Sequence, residues 1–167
     1  MRLPILEYPD PRLRKVALPV TVFDVALARL VEDMLETLYA SKAIGLAATQ
    51  VDVHRQVVVL DVSGDASAPQ VFVNPQVLSH DTPAMVEEGC LSVPGVLDNV
   101  RRSARLRVKA QQRDGTTFEC RLEGVAAVCL QHEMDHLIGR LFVDHLSFFK
   151  RLRLRWKLGR DRKPVAA

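Results

Sequence analysis

A helical segment in the C-terminal third constrains this chain more than any other feature. It reads VCLQHEMDHLIGRLF and covers residues 128–142. Apolar residues recur through it at helical spacing, but His132, Glu133 and His136 interrupt them. Polar side chains are costly to bury unless something pairs with them. The fold must therefore supply partners for these three groups or leave them at a surface.

The spacing of the two histidines predicts a metal site. They lie four residues apart, which places both imidazoles on one face of an α-helix, about 6 Å apart along its axis. Both can then reach one metal ion, while Glu133 can approach a bound water without occupying a coordination position. The alternative is that all three are hydrogen-bonded polar groups on a core-packing helix, because short motifs also arise by chance.

Two histidines do not complete a catalytic metal site, which usually has three protein ligands and one open position. Cys90 is the candidate for the third ligand. It lies between turn-forming residues in EEGCLSVPG, residues 87–95, directly after Gly89. We interpret the other two cysteines, Cys120 and Cys129, as small buried apolar residues. An odd set of three cysteines does not suggest a disulfide framework.

The composition is that of an ordinary globular protein. The 167 residues are 48% hydrophobic and 26% charged, which suits one domain with a substantial core. No apolar run approaches the roughly 20 residues that a membrane-spanning helix needs. Prolines and acids near the start interrupt any signal-peptide core. We therefore expect a cytoplasmic protein with no membrane partner.

Apolar periodicity predicts an α+β fold. A helix is predicted over residues 24–40, short strands over 56–62 and 70–75, and an antiparallel hairpin from strands 104–110 and 118–122. The helix with the histidines should end near Gly139, and a last helix should begin with Ser147 as its cap. Because helices and strands do not alternate regularly, we expect mixed antiparallel sheets around a central motif helix, followed by a C-terminal helix.

Three motifs together resemble a known family. IGLAATQ (44–50), EGCLS (88–92) and QHEMDH (131–136) are similar, in order and spacing, to the signature motifs of the peptide deformylases. The similarity extends from YPDPRLRKVA near the start to GRLFVDHLS. The resemblance implies an α+β, metal-dependent hydrolase that removes the N-formyl group from N-formylmethionyl nascent polypeptides and releases formate.

The same resemblance implies residue roles. The implied metal ligands are Cys90, His132 and His136, with Glu133 as the catalytic acid/base. Gln50, through its side-chain amide, and Leu91, through its backbone N–H, correspond to the family's oxyanion-stabilising pair. The implied cofactor is one divalent metal ion, with Fe(II) expected in the cell and zinc or nickel possible as isolated.

Substrate recognition can be assigned only by position. Gly45 and Gly89 flank the proposed site, where their backbone could accept an extended peptide as an added strand. The methionine side chain needs an apolar pocket, for which the candidates are Ile44, Val86, Val125, Val128 and Cys129. Plain core packing explains each of these five residues equally well.

The sequence departs from the family at two places. Ala43 stands where the family commonly has glycine, so we expect a negative φ at this position. The segment after EGCLSVP lacks an arginine that some bacterial members carry.

Two other functions fit the same residues. A zinc-dependent peptidase also fits HEMDH. The basic C-terminal segment fits a nucleic-acid-binding or ribosome-binding protein with a structural metal, although such a site usually has four protein ligands.

The C-terminal segment differs from the rest in charge. Residues 150–167 contain eight basic residues and one acid, whereas the rest of the chain has more acids than bases. We expect a catalytic domain over residues 1–149 and a basic C-terminal helix or tail of the same domain over residues 150–167. This tail is either a solvated helix or a ribosome anchor. If the tail is an anchor, helical spacing would allow Leu152 and Trp156 to pack on the body of the protein while the arginines face phosphate.

Overall fold

The computed structural model describes the backbone of residues 1–161 and the side chains of residues 1–154. Within that range the α-helices are α1 (Val25–Ala40), α2 (Gly124–Leu137) and α3 (Phe148–Asp161). The strands are β1 (Gly45–Ala47), β2 (Val57–Leu60), β3 (Gln70–Cys90), β4 (Val93–Gln111) and β5 (Thr117–Glu123). Short 3₁₀ helices cover Pro11–Arg14, Ala48–Val51 and Phe142–His145. The α+β prediction is confirmed.

In the described part of the chain, the strands form one antiparallel sheet in the order β1-β2-β3-β4-β5. The apolar run of β2 is buried on both of its faces. Val57 and Val59 pack in the cluster that contains the apolar face of α1, whereas Val58 and Leu60 pack in the cluster that contains α2. The single sheet therefore lies between these two helices, with α2 packed on one of its faces.

The predicted hairpin is present, and one that was not predicted lies beside it. β4 and β5 pair in the expected antiparallel sense, with Leu106 opposite Leu122 and Val108 opposite Cys120. β3 and β4 extend far beyond the predicted strands 70–75 and 104–110 and pair with each other along most of their length. Leu91 and Ser92 connect them. This long hairpin places Cys90 at the end of β3.

The two ends of α1 are capped differently. The Asp24 carboxylate accepts a hydrogen bond from the Leu27 N–H at 2.9 Å. At the other end the Ala43 N–H donates to the Leu38 carbonyl at 3.2 Å, which closes the turn over Lys42. The strained residue is Lys42, with φ of 53°, and Ala43 is not among the positive-φ residues. The expectation of a negative φ at Ala43 is confirmed.

The later helices also begin and end close to the predicted residues. α2 ends at Leu137, and Gly139 follows it with φ of 72°, a conformation that favours glycine. The Ser147 carbonyl accepts from the Arg151 N–H at the start of α3. The proposed domain boundary at residue 150 lies inside this helix. None of the helices in residues 1–161 combines the length and apolar character needed to cross a bilayer.

The C-terminal helix buries Leu154 more deeply than Leu152. Leu152 is 45% exposed, whereas Leu154 is buried in a cluster with Leu6 and Phe142. Both leucines line one cavity together with Tyr8 and Val143, so Leu152 meets the body only in part. The side chain of Trp156 and all of residues 162–167 lie outside the described part of the chain.

Candidate metal centre and active site

The structure brings together the three residues that the sequence nominated as metal ligands. Cys90 ends β3, and His132 and His136 lie one turn apart on α2. Their ligand atoms all lie within 4.8 Å of one another. The Cys90 Sγ is 3.2 Å from the Nε2 of His136, and the two imidazole rings meet edge to face with centroids 5.0 Å apart. Two distant motifs therefore supply one cluster.

Glu88 orients His132 within this cluster. Its Oε2 accepts a hydrogen bond from His132 Nδ1 at 2.9 Å, which leaves Nε2 of that ring as the atom for a metal. Arg102 binds both Glu88 oxygens, at 2.7 and 3.0 Å. Burial alone would raise the pKa of Glu88, but the hydrogen bonds from His132 and Arg102 outweigh it and lower the pKa to about 2. Glu88 is therefore an anion at neutral pH.

Sequence reasoning gave no role to Glu88 or Arg102. A signal for Glu88 was available, because histidines that bind metals usually donate their other ring N–H to a carboxylate or carbonyl group. Glu88 lies in the EGCLS motif, two residues before Cys90. Arg102 had no comparable signal, since it is one of several arginines in β4 and only the pairing of β3 with β4 brings it near Glu88.

The ring of His136 is suited to a metal ligand. Burial, with the nearby charge of His132, lowers the pKa of His136 well below its usual value. The ring therefore stays neutral, as metal ligation requires. Its Nδ1 atom has no hydrogen-bond partner in the described part of the chain. Thr49 instead holds the backbone, because its hydroxyl donates to the His136 carbonyl at 3.1 Å.

Glu133 places a buried carboxylate next to the candidate ligand His132 on α2. Burial raises the pKa of Glu133 to about 7, which suits a group that must both accept and donate a proton near neutral pH. Its Oε2 atom has no hydrogen-bond partner in the described part of the chain. The backbone of Gly45 packs closely on its other oxygen, since a Cβ at Gly45 would lie 2.6 Å from Glu133 Oε1.

Gln50 is held in one orientation beside the cluster. Its Oε1 accepts the Ala47 N–H at 2.9 Å, so its amide nitrogen points the other way. That nitrogen donates to the Ser92 hydroxyl at 3.1 Å and lies 3.7 Å from Cys90 Sγ. The amide is therefore a preorganised donor next to the candidate ligands. Ser92 had been given no role, although it lies in the EGCLS motif.

Gln50, Cys90, Leu91, His132 and Glu133 line one cavity of about 860 Å³, while the candidate ligand His136 is buried and is not part of its lining. The seven residues nominated for substrate binding also line it: Ile44, Gly45, Val86, Gly89, Val125, Val128 and Cys129. Lining residues that were not predicted include Ala43, Glu87, Pro94, Gly95 and Ala104. Burial and the charge of Glu133 raise the pKa of the Cys129 thiol well above its usual value, so this group stays neutral.

The donor set fits a catalytic metal ion. One thiol and two imidazoles are ligands of zinc and of other late first-row metals. Three protein ligands beside an open cavity leave a coordination position for water or substrate, whereas a structural zinc site usually has four protein ligands. The free oxygen of Glu133 provides an acceptor for such a water.

Comparisons with known proteins agree with this geometry. A sequence model of the family described as polypeptide deformylase matches residues 2–152. The chain belongs to the polypeptide deformylase family. The peptide deformylase of Hahella chejuensis is 55% identical over 164 residues, which cover 97% of each chain. That of Pseudomonas aeruginosa is 54% identical over 166 residues, which cover 98% of each chain.

Solved deformylase structures share the fold. A Legionella pneumophila peptide deformylase superposes with a TM-score of 0.90 at 46% identity, covering 98% of this chain and 100% of that one. The Ehrlichia chaffeensis peptide deformylase in complex with actinonin gives a TM-score of 0.91 at 35% identity, covering 97% and 98% of the two chains. The chain is therefore a metal-dependent deformylase that removes the N-formyl group from nascent peptides, not a general peptidase.

Proposed function

We propose that Cys90, His132 and His136 bind the catalytic metal ion of this deformylase. One observation supports this most strongly: three ligand atoms from two separate motifs lie within 4.8 Å of one another. They do so at a cavity into which Glu133 also brings a carboxylate. The hydrogen bond from His132 to Glu88 fixes the ring in the tautomer that a metal ligand needs.

The proposed metal is Fe(II) in the cell, with zinc or nickel able to replace it during purification. A thiolate with two imidazoles accepts all three metals, and the thiolate lowers the formal charge of the site. When bound, a divalent cation supplies Lewis acidity, which lowers the pKa of water and polarises a carbonyl group. We expect the iron form to be more active than the zinc form. It should also lose activity in air, because Fe(II) binds more weakly than Zn(II) and can be oxidised.

Glu133 is the proposed acid/base. It takes a proton from the attacking water, a bond forms from the water oxygen to the formyl carbon, and the C–N bond then breaks. Glu133 returns the proton to the leaving nitrogen, which gives formate and a free α-amine. The Gln50 amide and the Leu91 N–H donate hydrogen bonds to the formyl oxygen as it gains charge. Each such donor typically contributes about 3 kcal/mol of transition-state stabilisation.

The cavity is the proposed binding site for the formylmethionine side chain. Its apolar walls come from α2 and from the residues that precede β1. Ile44 and Val125 are 44% and 61% exposed, so they lie at its mouth, while Cys129 is buried. The sheet order places β1 at an edge of the sheet within the described residues. The peptide backbone can therefore add beside Gly45 as a further strand, with Gly89 on the other side of the cavity.

The test is formate release from a formyl-Met peptide by anaerobically purified, iron-loaded protein. The same peptide without the formyl group should remain intact, because the proposed site acts on the formamide bond. Glu133→Gln should keep the metal and lose nearly all activity. Cys90→Ala and His136→Ala should lose metal affinity, whereas Cys120→Ala, a matched cysteine on β5, should not. Tightly held, stoichiometric metal in Cys90→Ala would exclude Cys90 as a ligand.

We further propose that residues 1–149 form the catalytic domain and that residues 150–167 form a basic tail that contacts the ribosome in the cytoplasm. The start of α3 supports this proposal, since Phe148 and Phe149 are 65% and 80% exposed beside the exposed Lys150 and Arg151. Exposed aromatic and basic side chains on one helix suit a surface of RNA phosphates and protein. Formylated nascent chains emerge from ribosomes, so this contact would raise the local substrate concentration.

A further inference from the structure

A chain of polar side chains, two buried and two partly buried, runs from the metal cluster to the 3₁₀ helix Phe142–His145. It begins with the bonds from His132 to Glu88 and from Glu88 to Arg102. The Nη1 atom of Arg102 then donates to Asp135 Oδ2 at 2.7 Å. The same Asp135 oxygen accepts from His145 Nε2, also at 2.7 Å. The other ring nitrogen of His145, Nδ1, lies 3.4 Å from Arg140 Nη2. Because arginine can only donate, Nδ1 is the acceptor and Nε2 carries the hydrogen that His145 donates to Asp135.

The chain is shielded from solvent along its length. The side chains of Glu88 and Arg102 are each 5% exposed, and those of Asp135 and His145 are 15% and 18% exposed. Hydrogen bonds between charged groups are stronger and more directional in such surroundings than in water. The guanidinium is held at three nitrogens, two facing Glu88 and one facing Asp135. A change in the position of Asp135 is therefore transmitted to Glu88.

Apolar contacts hold the segment that carries His145. His145 ends the 3₁₀ helix Phe142–His145, and Phe142, Val143 and Leu146 of this segment are all buried in one apolar cluster. These contacts provide an anchor for the backbone that does not depend on the His145 imidazole, which is hydrogen-bonded to Asp135. The hydrogen bond of His145 is therefore available to orient Asp135.

We propose that His145 is a positioning residue for the metal centre. It fixes Asp135, which holds Arg102 in place, and Arg102 in turn orients Glu88 and the His132 ring. The inference rests on the proposed metal-binding role of His132. It adds a residue that lies outside all three deformylase motifs and that connects the metal centre to the segment immediately before α3.

The test compares His145→Leu, which removes the donor, with His145→Gln, whose amide nitrogen occupies nearly the position of imidazole Nε2. His145→Asn is the second comparison, because its shorter amide does not reach Asp135; it replaces the leucine variant if that protein does not fold. His54→Leu is the matched control. His54 is similarly exposed, at 20%, and its Nε2 contacts the Arg12 carbonyl outside the chain of side chains.

The first readouts need no turnover. Zinc affinity is measured by competition with a chelator, and the cobalt(II)-substituted protein gives a visible spectrum that reports the ligand geometry. Loss of a hydrogen-bond partner behind a metal ligand typically costs about 10- to 100-fold in affinity or activity. Because His145 acts through intervening groups, we expect about 3- to 10-fold weaker zinc binding in the leucine and asparagine variants. Their cobalt spectra should shift, and His145→Gln and His54→Leu should match the wild type.

Kinetics then separate positioning from general destabilisation. In the iron-loaded leucine variant kcat should fall while KM for a formyl-Met peptide changes little, because the apolar residues proposed to bind the methionine side chain are unaltered. Wild-type zinc affinity and spectrum in His145→Leu, or equal defects in His145→Gln and His145→Asn, would overturn the proposal. A lower melting temperature without these changes would overturn it too. Failure of the proposed metal site would look different, since Cys90→Ala and His136→Ala would then keep wild-type metal affinity.

Discussion

The contact between Gly45 and Glu133 gives a sharp test of the proposed acid/base. Gly45 begins β1 and lies against α2 in the cavity wall. A Cβ at this position would lie 2.6 Å from Glu133 Oε1 and even closer to the sulfur of Cys129. Ordinary contact begins at 3.4 Å, so in Gly45→Ala the Glu133 carboxylate must retreat by about 0.8 Å. Gly45 has no positive φ, so the added methyl group acts through steric contact.

The size of the effect follows from that displacement. A misplacement of about 1 Å in a reacting group costs on the order of 100-fold in rate, or about 2.7 kcal/mol of barrier height. The free energy of unfolding should fall as well, by about 1 to 3 kcal/mol, because the core is overpacked. Metal content should not change, since the atoms nearest to the added methyl group belong to Cys129 and Glu133 and not to a candidate ligand.

The assay is formate release by the iron-loaded variant, with metal analysis and urea denaturation of the same preparation. Gly89→Ala provides the contrast. A Cβ there would meet Leu97 Cδ2 at 2.7 Å, but Leu97 is 65% exposed and can rotate away, so kcat should persist and the effect should appear in KM. Gly45→Ala combined with Cys129→Ala should recover stability but not kcat. A wild-type kcat in Gly45→Ala, or equal losses of kcat in both glycine variants, would refute the reasoning.

Three further predictions follow from other parts of the structure. Lys42→Gly should raise the free energy of unfolding by about 1 kcal/mol in thermal denaturation, because glycine adopts the positive φ of this position without strain. Ala43→Gly should lower the free energy of unfolding instead. An equal response of both variants would contradict this reasoning. Since the pKa of Glu88 is lowered from 4.5 to about 2, Glu88→Gln should cost about 3 kcal/mol of unfolding free energy at neutral pH. That difference from the wild type should be complete above pH 4.5 and disappear as the pH falls towards 2, whereas a pH-independent difference in urea unfolding would exclude the ion pair as its source. Truncation after Phe149 should weaken co-sedimentation with ribosomes but spare hydrolysis of a short formyl peptide. The logarithm of the binding constant of the full chain should fall with the logarithm of the salt concentration, with a slope on the order of −3 to −5. Full co-sedimentation of the truncated protein at low salt would disprove the anchor.

The elements that could be predicted from the sequence are those whose residues carry their own periodicity. The apolar face of α1, the alternation in β5 and the spacing of His132 and His136 on α2 follow from side chains within each element. The β3 segment between Val77 and Glu88 could not be predicted in this way. It contains Pro83 and several charged residues, most of its side chains are exposed, and it is a strand only because β4 pairs with it.

The same distinction explains the site. The candidate ligands could be nominated because metal chemistry demands particular residue types at a particular spacing. The groups that orient them could not, because Arg102, Asp135 and His145 become neighbours only through tertiary structure. The deep burial of Leu154 rather than Leu152 could not be predicted for a related reason. Periodicity shows that a helix has faces, but it does not show which face meets the body when basic and apolar residues alternate.

The N-terminal segment shows how far the geometry of the site depends on residues with no chemistry of their own. The Leu6 N–H donates to the Gln50 carbonyl at 2.8 Å, and the Tyr8 N–H donates to the Ser92 carbonyl at 2.7 Å. One extended segment therefore holds both the 3₁₀ helix that carries Gln50 and the turn that follows Cys90. Side-chain bonds within the site join the same two segments, because the Gln50 amide donates to the Ser92 hydroxyl. Since backbone and side-chain bonds fix these segments together, the proposed oxyanion donor and the candidate thiol ligand keep their relative positions without help from the substrate.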